Sequence, residues 1–86
     1  MKQQKQKYHR VHFDGLAQMR MEAIGGVIRQ YRYDTMLSRE DFAKEYGISR
    51  SLVERIETGK NVNILSLFRI CDIFMISPEE LFQGCD

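Results

Sequence analysis

Apolar residues recur at helical spacing along most of the chain. Leu16, Met19, Ala23, Val27, Ile28 and Tyr31 mark a first helix over residues 16–34, with Asp14 as its cap. The Gly25–Gly26 pair interrupts it, and each Gly costs about 1 kcal/mol relative to Ala. A bend there, or a start only near Glu22, is expected. With no GxGxxG or GK[ST] around the pair and no strand before it, close helix packing explains it better than a phosphate loop. Phe42, Ala43 and Tyr46 give one face to a short helix over residues 38–46. Leu52, Val53 and Ile56 do the same over residues 49–57. Ile64, Leu67, Phe68, Cys71 and Phe74 mark the core face of a fourth helix, which breaks at Met75–Ile76. A fifth follows from Ser77 as N-cap, Pro78 at the first position, Glu80 completing a capping box, and Leu81 and Phe82 as anchors. No segment supports a strand. The expected fold class is all-α with five helices.

The punctuation between the second and third helices is the most informative stretch. Ser38 is placed to accept from free N–H groups, with Glu40 and Asp41 suiting the positive helix end. Asp41 stands where a capping box has Glu or Gln, so that match is partial. Gly47 ends the second helix, since it takes a left-handed conformation without a Cβ penalty. Ile48 turns back inward and Ser49 opens the third helix. Ala43, Gly47 and Val53, at spacings of four and six, supply the small residue, the turn and the β-branched residue that two tightly crossed helices need. The outer face of the third helix shows Arg50, Ser51, Glu54 and Arg55.

At these residues the chain resembles the phage-repressor helix-turn-helix domains (Cro and lambda-repressor-like, Xre-type). The resemblance covers about residues 24–82. It rests on IRQYR at 28–32, SREDFAKEYGISRSLVERIETGK at 38–60 and SLFRICDIFMISPEELF at 66–82. It implies a five-helix lambda-repressor-like domain, with the helix-turn-helix at about 38–57 and residues 49–57 lying in a DNA major groove. It also implies an ion pair between Arg32 and Glu57, making Arg32 a fold residue. If buried, that pair would cost roughly 3–5 kcal/mol to break from one side. Ala43, Gly47, Ile48, Val53 and Ile56 complete the structural set. Arg50, Ser51, Arg55 and Glu54 are the expected base contacts. Each Arg can donate two bonds to guanine, and Glu54 can accept from cytosine or steer the two arginines. Ser38, Arg39, Ser49, Thr58, Lys60 and Asn61 are the expected phosphate contacts, which position without specifying. The chain departs from the family at Leu52, where a small polar residue is usual and packing is the favoured reading. It also departs at Met75, where Gly is usual, and in the loop at 58–63, which is one residue shorter.

Composition narrows the rest. The chain has 86 residues, 43% hydrophobic and 29% charged, with a net charge of +1. That fits one small domain with no apolar run long enough to span a membrane. Residues 1–21 carry five basic side chains against Asp14, net +4, while residues 22–86 carry eight against eleven acids, net −3. Local charge must therefore serve DNA, since net charge does not. Residues 1–13 read as a basic, flexible arm, either tracking DNA or merely solubilising; residues 14–86 read as the DNA-binding domain. The basic start has no apolar signal region, so a cytoplasmic, bacterial or phage-encoded protein is expected. Cys71 and Cys85 read as reduced thiols. His9 and His12 lie three apart, but no Cys or acid completes a metal site. No catalytic motif occurs, so no enzyme and no cofactor is expected, and no small-molecule domain.

An Arg/Glu helix face is ordinarily only solvated surface. The Gly turn, the apolar frame and the resemblance together point instead to a sequence-specific regulator of double-stranded DNA, expected to be a repressor. A homodimer is expected, joined through Leu81 and Phe82 or through Met19 and Met21. The alternative is a protein-interaction module of the same fold, an antitoxin or anti-repressor with a protein partner. The slightly acidic folded region and Leu52 are its supports.

Overall fold

In a computed structural model, residues 10–84 are described, with side chains from Gly15 onward. Five helices follow one another: α1 (Arg10–Asp34), α2 (Arg39–Tyr46), α3 (Arg50–Glu57), α4 (Ile64–Phe74) and α5 (Pro78–Gln83). No strand occurs among the described residues. The arm residues 1–9, His9 with them, lie outside the described residues, as do the side chain of His12 and Cys85.

Four helices begin with a side-chain cap. Ser38, Ser49, Asn63 and Ser77 accept from the N–H groups of Asp41, Leu52, Ser66 and Glu80 at 3.1, 3.0, 2.9 and 3.1 Å. At Ser77 the capping box is complete, because its own N–H donates to the Glu80 carboxylate at 2.9 Å. Asn63 was not anticipated, although it stands just before the apolar run of α4. Gly47 closes α2 in the left-handed conformation, φ 70°.

The expected cap of α1 is corrected. The helix begins at Arg10, so Asp14 lies inside it, and residues 10–13 belong to α1 rather than to the arm. α1 also runs unbroken through Gly25–Gly26. The reason is packing. A Cβ at Gly25 would lie 2.7 Å from the Glu57 carbonyl oxygen, so the missing side chain lets α1 touch the end of α3.

α1 packs on α3 and α5, α2 on α3, and α4 on α5. Between them lie Ile24, Ile28, Phe42, Ala43, Val53, Ile56, Leu67, Ile70, Cys71 and Leu81. Burying each large aliphatic side chain contributes about 1.5–3 kcal/mol. Phe74 stacks on Tyr31 and Phe42 at centroid distances of 5.1 and 5.4 Å, tying α4 to α1 and α2. The Cys71 thiol is free, and burial, with Asp72 beside it, pushes its pKa up, as suits an unreactive core thiol.

Two apolar faces differ from expectation. On α4, Ile64 and Phe68 are exposed, while Ile70 joins Leu67 and Cys71 in the core. Apolar residues occur nearly all round this helix, so spacing alone does not choose the buried side. On α5, Leu81 is buried and therefore unavailable for a subunit contact, while Phe82 is exposed. No described helix is long and apolar enough to cross a membrane.

Candidate nucleic-acid interface

Helix α3 has two unlike faces. Val53 and Ile56 are buried, and Leu52 is half-buried against the same core, so Leu52 packs. Arg50, Ser51, Glu54, Arg55 and Thr58 are exposed on the other side. Ser49, just before the helix, presents its hydroxyl to the Leu52 N–H.

The outer charges are locally organised. Arg50 Nη1 donates to Glu54 Oε1 at 3.1 Å, one helical turn away. Arg55 Nη2 donates to the Asn61 carbonyl, tying the loop after α3 back to the helix. The Thr58 hydroxyl donates to the Glu54 carbonyl at 2.7 Å and closes the C-terminus. Gly59 follows at φ 76°, and a Cβ there would run into Glu22 of α1. Gln18 Nε2 donates to the Gly59 carbonyl at 3.2 Å. The loop carrying exposed Lys60 and Asn61 is thus held between α3 and the N-terminal half of α1.

Behind α3 the chemistry is different. The Glu57 side chain is inaccessible to water and meets three arginines. Arg32 forks onto it, Nε to Oε2 at 2.6 Å and Nη2 to Oε1 at 2.9 Å. Arg39 Nε donates to Oε1 at 3.0 Å. Arg29 Nε stands 3.7 Å from Oε1, and its Nη2 donates to the Glu57 backbone carbonyl at 2.9 Å. Arg32 Nη1 also holds the Leu37 carbonyl at 2.9 Å, fixing the link into α2. Burial pushes the Glu57 carboxyl up, but hydrogen bonds from Arg32 and Arg39, with their charges, outweigh it and hold the pKa below the ordinary carboxylate range. The Glu57 hydrogen bond likewise outweighs burial at Arg32 and raises its pKa.

The Arg32–Glu57 pair is therefore present and buried. Arg29 and Arg39 were not foreseen beside it. Arg29 lies three residues before Arg32, hence on the same side of α1, and that spacing was a readable hint. Arg39 stands where a phosphate contact was expected, at the start of α2, but its Nε is committed to Glu57. Ser38, beside it, is exposed. Among the described residues, no cluster of three or more His, Cys, Asp or Glu side chains is placed to hold a metal.

This geometry has relatives. The chain is similar to the clp gene regulator ClgR from C. glutamicum, whose crystal structure superposes with a TM-score of 0.64 at 24% identity, over 78% of this chain and 86% of that one. At that identity the likeness carries the fold alone. No curated protein matches the chain. The family model described as the Cro/C1-type helix-turn-helix DNA-binding domain matches residues 28–83, from the last third of α1 to the end of α5. The match spans more than half of the chain and takes in both the α2–turn–α3 unit and the Arg32–Glu57 clamp behind it: the chain belongs to the Cro/C1-type helix-turn-helix DNA-binding domain family.

Proposed function

We propose that the protein is a sequence-specific transcriptional repressor that lays α3 in the major groove of double-stranded DNA and occupies its operator as a homodimer. The supporting observation is the contrast across α3, with a rear clamped through the enclosed Glu57 side chain and a front that offers Arg50, Ser51, Glu54 and Arg55. A recognition helix must be held rigidly so that small displacements do not break base contacts, and the Glu57 cluster supplies that rigidity. Arg50 and Arg55 are the guanine readers. One bond from each to Glu54 or Asn61 leaves most of a guanidinium's five N–H donors free. Ser51 is a permissive contact, and Glu54 orients Arg50. Ser38, Ser49, Thr58, Lys60 and Asn61 meet phosphates, and Arg39 adds its terminal nitrogens while Nε stays on Glu57. Two copies would read half-sites about one helical turn, roughly 34–36 Å, apart.

Selection from random-sequence duplex DNA at two salt concentrations tests this reading. The wild-type chain is expected to enrich one palindromic motif. Arg50→Ala and Arg55→Ala should each cost about 1–3 kcal/mol and relax one base position, and Lys60→Ala should weaken all sequences alike and flatten the salt slope. Weak, salt-abolished binding without a motif would refute it.

A further inference from the structure

We propose that one polar face of α1 sets the place of the loop after α3, and that Gln18, at the outer end of that face, is a positioning residue for the base read by Arg55. The inference deepens the DNA reading above and rests on it.

Gln18, Glu22, Gly25, Arg29 and Arg32 recur along α1 at spacings of four, three, four and three. That repeat keeps them on one side of the helix. Such a repeat ordinarily carries an apolar stripe, but none of these five has an apolar side chain. Each meets the C-terminal end of α3 or the loop beyond it. Arg32 forks onto the Glu57 carboxylate, and Arg29 Nη2 donates to the Glu57 carbonyl at 2.9 Å. Gly25 lies against the Ile56 and Glu57 carbonyls. Glu22 lies against Gly59, where a Cβ would come within 2.7 Å of its Cγ. Gln18 Nε2 donates to the Gly59 carbonyl at 3.2 Å. The end of a helix and the turn after it leave carbonyls without helical partners, and α1 reaches across to satisfy two of them. Gln18, Glu22 and Gly25 precede the span matched by the family model.

The aim of Gln18 is itself fixed. Its Nε2 also donates to Glu22 Oε2 at 3.1 Å. Both partners are acceptors, so they decide which way the amide points and occupy both of its N–H groups. From Gly59 the path to a base contact is short. The Lys60 N–H donates to the Arg55 carbonyl at 2.8 Å, and the Asn61 carbonyl accepts from Arg55 Nη2. The Arg55 guanidinium is thus steadied by a loop that Gln18 steadies in turn. A base contact needs its side chain held within about 0.5 Å of the productive geometry. Arg50 leans on Glu54 of its own helix instead. Loss of Gln18 therefore falls on the base opposite Arg55 and spares the one opposite Arg50.

Fluorescence anisotropy of the full chain on the selected site and its single-base variants tests this. Gln18→Met keeps the length of the side chain and removes both donors. It is expected to lower discrimination roughly 2- to 10-fold at the position that Arg55→Ala relaxes, the range of one lost hydrogen bond. The position that Arg50→Ala relaxes should be unchanged. Gln18→Glu, which keeps shape and polarity but presents only acceptors, should act in the same direction. In an Arg55→Ala background neither change should matter at that position, as coupling between the two residues requires. Without DNA, the Lys60 N–H should exchange with solvent faster in Gln18→Met by a similar factor, while the Ile56 N–H within α3 holds. Loss spread evenly over all positions, loss that persists without Arg55, or unchanged discrimination in both variants overturns the proposal. A wild type that enriches no motif sinks the DNA reading, whatever Lys60 does. A wild type that enriches one, with both Gln18 variants behaving like it, sinks this proposal alone.

Discussion

Glu54 and Glu57 lie three residues apart on α3, and each is bound to arginine, yet they stand in different solvents. The Arg50–Glu54 pair is half exposed on both sides, whereas the Glu57 side chain is fully enclosed and shared by Arg32, Arg39 and, more distantly, Arg29. In water such a pair is screened and contributes little. Enclosed, the same groups cannot be separated without leaving a bare charge in the core. One helix thus carries a fixed charge cluster that holds it and an adjustable one that is free to meet a ligand.

The sharpest way to break this contrast is to remove the enclosed acid. Glu57→Ala leaves three arginines around an empty site and should cost about 3–5 kcal/mol, measured by urea unfolding. For a domain of this size that is a large fraction of its expected stability. The titration has a definite sign. The folded pKa of Glu57 lies below its unfolded value, so its stabilisation is complete above the unfolded pKa, about 4.5, and is lost as pH falls through the folded one. Unfolding free energy followed from pH 6 to pH 3 should fall steeply at the acid end, and less steeply in Glu57→Gln.

Adjacent glycines on α1 probe the same anchorage more gently. Gly25→Ala drives a Cβ against the Ile56 and Glu57 carbonyls, which are backbone and cannot step aside, and should destabilise by about 1–3 kcal/mol. Gly26→Ala points into open space on the same helix and should stabilise by roughly 0.5–1 kcal/mol. Opposite signs at neighbouring positions, read as thermal midpoints, would show that the contact with α3 decides the outcome rather than helix propensity. Two losses would remove that explanation.

Local signals were legible where the physics is local. Ser38, Ser49 and Ser77 cap because a short oxygen beside free N–H groups has one useful place to go, and Gly47 turns because few other residues do so cheaply. The start of α1 was not legible, because an acid followed by an apolar run fits a helix interior as well as a cap. The buried side of α4 was hidden by apolar residues all round the helix, and only packing of Ile70 against its neighbours chooses between faces. The Arg32–Glu57 pair was reached through family resemblance. Arg29 was hinted at by its spacing from Arg32 on α1, but the role of Arg39 depends on where α2 crosses α3, which no spacing within one helix encodes. Arg39 shows the consequence: an arginine at a helix start reads as a phosphate contact until a buried carboxylate is found within 3.0 Å of it.

The smallest expected effect lies on the outer pair. Glu54→Gln removes a charge and keeps an acceptor for Arg50. Exposed i,i+4 pairs contribute about 0.3–0.5 kcal/mol, so the unfolding midpoint should hardly move. Binding is more informative. If Glu54 only orients Arg50, the variant keeps the same preferred base opposite Arg50 and binds all duplexes slightly tighter, by less than about 1 kcal/mol, because one repulsion with phosphate is gone. If Glu54 itself accepts from a cytosine, preference at one further position is lost while the others stand. Fluorescence anisotropy on single-base variants of the selected site separates the two. A Glu54→Gln variant that unfolds as readily as Glu57→Ala would overturn the contrast between the two faces, since it would mean that the exposed pair holds the helix after all.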